Sequence, residues 1–118
     1  MGKNAQKDSG KNGLTVYKDY DGREIHLTES RWRHIVVGHP EMKEWRSYFE
    51  FTLSSPALVV QDEQVETTTY YFYLLPCKLY LMVVVDWSEA PAMVKTAFRV
   101  KRPKEGKILH VTKPSRLV

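Results

Sequence analysis

Leu79-Tyr-Leu-Met-Val-Val-Val-Asp86 is the stretch on which the fold turns. It holds no glycine or proline and three consecutive valines, so it favours extended backbone over helix. Its alternate members, Tyr80, Met82 and Val84 against Leu79, Leu81, Val83 and Val85, are apolar on both sides, as in a strand at the centre of a sheet with both faces covered. Working outward, Thr68–Leu75 (TTYYFYLL), Met93–Lys101 (MVKTAFRVK) and Ala57–Gln61 (ALVVQ) are rich in β-branched and aromatic residues and read as its companions. The links Asp62–Thr67, Pro76–Lys78 and Trp87–Ala92 are too short for the crossover that parallel strands need. A four-stranded antiparallel meander is therefore expected. Pro103, Glu105 and Gly106 break the last strand, and Ile108–Val111 can return as a short edge strand.

Upstream the apolar period becomes helical. Thr28 is a good cap, Glu29 suits the positive end of a helix dipole, and Trp32, Ile35 and Val36 recur at helical spacing up to Gly38. A second helix is expected after Pro40, with Met42, Trp45, Tyr48, Phe49 and Thr52 or Leu53 in one stripe ending at Ser54–Pro56. Before both helices, Asp21-Gly22 between Leu14, Val16 and Ile25, Leu27 is a hairpin signal. The expected fold class is α+β: two N-terminal helices packed on one face of the four-stranded sheet, preceded by a short hairpin, with the other face open to solvent.

A chain of 118 residues suits one core. Residues 1–12 read as a disordered arm, 13–112 as a single α+β domain and 113–118 as a flexible basic tail. The longest apolar run, Leu79–Val85, is far short of a membrane span, and no secretory signal is evident. One cysteine, Cys77, cannot form an internal disulfide, which fits a reducing cytoplasm; beside Pro76 it reads as a small apolar filler. The net charge of +4 is unevenly spread: +2 over residues 1–12, −5 over 13–94 and +7 over 95–118. Such polarity favours a polyanionic partner such as nucleic acid, or else merely a solvated basic end.

Metal and cofactor chemistry are not implied. Four histidines and one cysteine give no ligand pair at a standard spacing, and the glycines form no phosphate cradle. The densest chemical signal is Arg31-Trp-Arg-His-Ile-Val-Val-Gly-His-Pro-Glu41. His34 and His39 can move protons near neutral pH, while Arg31 and Arg33 can hold a phosphate. The plainer alternative has His34 donating to a backbone carbonyl beside the buried stripe and His39 capping the second helix.

The run LTESRWRHIVVGHPEM, followed by SSPALVV, TTYYFYLL, LYLMVVVDW and VKTAF, resembles small phage and bacterial domains of the barnase, EndoU, colicin and RelE-like (BECR) nuclease superfamily. The resemblance spans about residues 23–102 and rests on the HI…HPE spacing with a later TAF strand. It implies metal-independent RNA cleavage, in which the ribose 2′-hydroxyl attacks its neighbouring phosphate to leave a cyclic phosphate. His34 matches the first motif histidine as general base or acid, and His39 the second. Thr96 would hydrogen-bond a nonbridging oxygen, with Arg99 or Lys95 neutralising its charge. Tyr71 and Tyr73 would offer stacking faces for unpaired bases, and Lys101 and Arg102 would add to the basic surface. RNA is the implied partner, with a protein antitoxin or inhibitor as a further one and no membrane. Each residue has a plainer role: Thr96 favours strand, Lys95, Arg99 and Lys101 discourage edge pairing, and the tyrosines fill a core. The competing functions are a noncatalytic nucleic-acid-binding module and a protein-interaction domain docking through Trp45, Trp87 or Tyr73.

Overall fold

A computed structural model describes residues 13–112. The arm expected at 1–12 and the tail at 113–118 lie outside the described residues. The chain opens with a hairpin, β1 (Leu14–Lys18) and β2 (Glu24–Thr28), and runs directly into helix α1 (Glu29–Gly38). A broken helical stretch follows: α2 (Met42–Trp45), a 3₁₀ turn at Arg46–Tyr48, and α3 (Phe49–Ser54). Five strands complete it: β3 (Leu58–Gln61), β4 (Thr68–Leu74), β5 (Tyr80–Asp86), β6 (Ala92–Val100) and β7 (Lys107–Val111).

The four-stranded antiparallel meander is corrected by the topology. All seven strands form one mixed sheet in the order β1-β2-β6-β5-β4-β3-β7. The hairpin is part of this sheet, because β2 pairs in parallel with β6 through Ile25 with Ala92 and His26 with Met93. The remaining pairings are antiparallel. A two-stranded hairpin is marginal alone. Docking on β6 buries Ile25 and Leu27 completely and removes one open edge.

Local chemistry explains the helical segments. Thr28 caps α1, its Oγ1 accepting from the Arg31 N–H at 3.1 Å, and the His39 N–H closes the helix on the Ile35 carbonyl at 2.7 Å. The single second helix expected after Pro40 is interrupted at Arg46–Tyr48. Tightening to three residues per turn brings Trp45 and Tyr48 together as an edge-on pair 5.5 Å apart. It also lets Arg46 reach the Thr15 hydroxyl at 2.9 Å and lie over the Trp32 ring at 4.5 Å.

The helices cover one face of the sheet. Ile35, Met42, Phe49 and Leu53 pack there on Val59, Tyr71, Leu81, Val83, Val85, Val94 and Ala97. The sheet curls around this core, so that Tyr20, in the turn after β1, stacks on His110 of the opposite edge strand at 4.2 Å. The expectation of an open second face is also corrected. Two cross-strand rows, Val111-Leu58-Phe72-Met82-Phe98 and Ile108-Val60-Tyr70-Val84-Thr96, make that face apolar, and Val60, Phe72, Met82 and Val84 are buried within it. Broad aromatic and branched neighbours shield one another there, although no helix among the described residues covers them. Tyr70 keeps its hydroxyl satisfied by donating to Asp62 Oδ1 at 2.5 Å, which pulls the carboxyl down to about 2. The phenol is pushed up to about 12 by burial and by that carboxylate.

Candidate functional site

The free edge of β6 is where the titratable residues gather. β2 leaves β6 after two residue pairs, and the chain continues as α1, so the helix takes the place of a strand along that edge. Both ends of α1 touch β6. Arg31 lines a pocket with Met93, Val94 and Lys95, and the His39 ring stacks on Phe98, centroids 4.7 Å apart and planes 18° apart.

Helix geometry locates His34 between these contacts. It follows Arg31 by three residues, about 4.5 Å further along the axis and about 60° around it, on the same ridge. It follows Trp32 by two residues, about 200° around. Trp32 points into the core, its ring edge-on to Phe49 at 5.9 Å. His34 therefore leaves α1 on the side away from the core, and it is exposed.

β6 turns Thr96 to the helix-free face. A bulge lies opposite Val84 and Val85: Val84 pairs with Thr96 and Val85 with Val94, leaving Lys95 as the extra residue. Thr96 shares the helix-free face with Val84, while Val94 and Ala97 face the core. Lys95, exposed at the bulge, meets Arg31 in a pocket of about 230 Å³ at the head of α1, with Thr28 and Ser30 on its rim. Asp86 and Glu89 complete the lining. The Ser88 N–H, donating to Asp86 at 2.9 Å, holds that carboxyl below its ordinary range. Nothing in the chain's pattern pointed to these two carboxylates, because the β5–β6 loop reaches α1 only through the parallel pairing of β2 with β6.

Other expected residues lie elsewhere. Arg99 pairs with Leu81 and so faces the helices, opposite to Thr96. Its guanidinium lies 5.7 Å from the Trp45 ring and donates to Cys77 Sγ at 3.7 Å, while Arg99 Nε and Trp45 Nε1 are buried without a partner. Cys77 is exposed, not an apolar filler, and the Leu79 N–H together with Arg99 pulls its thiol below the usual value. Arg33 sits about 200° around α1 from Arg31, exposed on another side. Lys101 and Arg102 are exposed just beyond the end of β6.

Tyr71 has no surface for a base. It is fully buried, and its hydroxyl donates to Asp19 Oδ2 at 2.8 Å. Asp19 also accepts from Arg23 Nε and Nη2 at 3.1 and 2.9 Å and from the Asp21 and Arg23 N–H groups, both at 2.9 Å. Burial, with the Asp19 carboxylate beside it, pushes the Tyr71 phenol well above its ordinary value. Arg23 in turn lies over the Trp87 ring at 4.4 Å. Tyr73 is partly exposed but packs on the helix face, 6.1 Å from Tyr48 and 6.2 Å from Phe51, remote in register from Thr96. Trp45 and Trp87 likewise pack against the core as partly buried rings.

Among the described residues, no three His, Cys, Asp or Glu side chains cluster as a metal ion would require. No helix among them is long and apolar enough to cross a membrane. No family model, curated protein or solved structure matches this chain.

Proposed function

We propose that this chain is a cytoplasmic, metal-independent ribonuclease-like domain working at the α1–β6 edge. The observation that supports the reading is that α1, which carries the exposed His34, lies along the edge of β6, where Arg31 and Lys95 line one pocket and the His39 ring stacks on Phe98. His34 takes the proton from a ribose 2′-hydroxyl as its oxygen bonds to phosphorus. The bond from phosphorus to the 5′-oxygen then breaks, and His39 returns a proton to that oxygen. Thr96 donates to a nonbridging oxygen while Lys95 and Arg31 offset the charge that develops there. Of the two cations expected for this part, Lys95 takes it, since Arg99 faces the other way. The single thiol, Cys77, is the basis for the cytoplasmic assignment.

The test is degradation of labelled RNA in the presence of EDTA. Wild-type protein should yield 2′,3′-cyclic phosphate ends, and His34→Ala should slow the reaction by roughly 10²- to 10⁴-fold while the circular dichroism of the folded state is kept. Equal rates for the two proteins would sink the mechanism. One observation favours a second reading: Asp86 and Glu89 share the pocket with Arg31 and Lys95 and oppose close approach of a phosphate. On that reading the domain binds RNA without cutting it. Binding would then weaken steeply with salt and no product would form on long incubation.

A further inference from the structure

The helix-free face carries partly exposed aromatic rings next to the α1–β6 edge. Along β6, the residues on that face after Thr96 are Phe98 and Val100, spaced about 6.6 Å apart by two steps of a strand. Phe98 already carries the His39 ring on it, and Tyr80, opposite Val100, is partly exposed with its ring edge-on to Phe72 at 6.4 Å. Beyond Val100 the chain is strongly basic: Lys101, Arg102, Lys104 and Lys107 are all exposed. Glu105 is the single acidic residue between Lys95 and Thr112. Lys104 lies over the Tyr70 ring on the same face, 5.3 Å from its centroid. Gly106 holds this loop against β3, since a Cβ there would meet the Gln61 carbonyl oxygen and stand 2.7 Å from Val60 Cγ1.

We infer that the Phe98–Tyr80 half of the helix-free face, with the Lys101–Lys107 segment, binds single-stranded RNA by stacking its unpaired bases, and so selects against duplex. The inference rests on the proposed ribonuclease reading and extends it to the strand leading away from Thr96. Bases expose flat π-faces only when unpaired, and the His39–Phe98 stack and Tyr80 are partly exposed rings on this face that can meet them. The His39–Phe98 stack is two rings deep, and a base adds a third layer. The cations beyond β6 follow the phosphates, which supplies the charge complementarity that an apolar protein partner would not need. Glu105 and Glu63 border this basic stretch and set its limit on the β3 side.

The experiment is fluorescence anisotropy with labelled oligouridylate and with an RNA duplex of equal length, using His34→Ala protein so that the probe survives. The single strand is expected to bind at least tenfold tighter than the duplex. Phe98→Leu and Tyr80→Leu, which keep apolar bulk and remove the ring, should each weaken binding about tenfold or more. Replacing Lys101, Arg102 and Lys104 together by Gln should reduce the salt slope by about 2. Equal affinity for duplex, or Leu variants that fold and bind like the parent, would overturn the inference. So would light scattering showing a two-copy assembly that RNA cannot enter. If either Leu variant fails to fold, photocrosslinking of 4-thiouridine RNA to the parent protein decides: adducts on peptides bearing Phe98 or Tyr80 support it, and their absence overturns it. Strand-selective binding without any cleavage by wild-type protein would end the ribonuclease reading alone, whereas cleavage indifferent to both rings would end this inference alone.

Discussion

Asp19, in the turn after β1, and His34, on α1, are polar residues in opposite circumstances. Asp19 is buried, and its two oxygens accept from five donors: two backbone N–H groups, two nitrogens of Arg23 and the Tyr71 hydroxyl. His34 stands exposed on the ridge of α1 that it shares with Arg31. A buried charge survives only when it is fully paired, so the Asp19 knot spends its hydrogen bonds on holding the hairpin turn to β4. The α1–β6 edge keeps its imidazoles and cations facing solvent, where a ligand can use them. Polarity alone does not separate these two jobs; saturation of the donors and acceptors does.

The contrast can be broken most severely at Asp19. Asp19→Ala leaves the Tyr71 hydroxyl and part of Arg23 unpartnered and should cost about 3 kcal/mol in urea unfolding. Under folding conditions it should leave RNA binding untouched; a large loss of RNA affinity in protein shown to be folded would mean that the knot is not purely structural. Tyr71→Phe removes one of five donors and should cost about 1.5 kcal/mol. It also has a pH signature. The folded-state pKa of Tyr71 is raised above the unfolded value near 10.0, so the unfolded chain releases the phenol proton first as pH rises. Stability is thus present below pH 10 and falls above it, and Tyr71→Phe should flatten that alkaline decline in chemical denaturation measured across pH 9 to 11.

Smaller effects sharpen the other half of the comparison. Thr28→Ala removes the cap that starts α1 and should destabilise the protein by about 1 kcal/mol. RNA cleavage should fall with it, because the same helix carries His34; full activity in the capless variant would detach the site from the helix. Arg33→Gln should change stability by less than about 0.5 kcal/mol and leave cleavage nearly intact, since Arg33 lies on another side of α1 from Arg31. A deficit as large as that of Arg31→Gln would refute the placement of the site on one ridge.

Strand positions were legible because β-branched and aromatic runs are confined by proline, glycine and acidic turns, and β4, β5 and β6 start and end within two residues of the expected spans. The Thr28 cap and the Asp21-Gly22 turn were equally readable. The sheet was not, because its decisive contact is the pairing of Ile25 and His26 with Ala92 and Met93, and nothing in five residues of β2 specifies a partner so far along the chain. For the same reason Asp86 and Glu89 escaped notice beside Arg31. Tyr71 and Tyr73 share one parity, and only the position of Asp19 in space separates a buried phenol from a partly exposed one. Arg99 could not join Thr96 in any case: three residues apart on a regularly paired strand, the two face opposite sides of the sheet.

The parallel junction also sets the order in which this protein can be made. When Ile25 leaves the ribosome, the strand that will shelter it is sixty-seven residues from being synthesised at Ala92. The hairpin and the first helix must therefore wait, apolar side uncovered, until most of the polypeptide has emerged. Contacts so distant in sequence make for slow folding, and until they form the N-terminal half carries uncovered apolar surface.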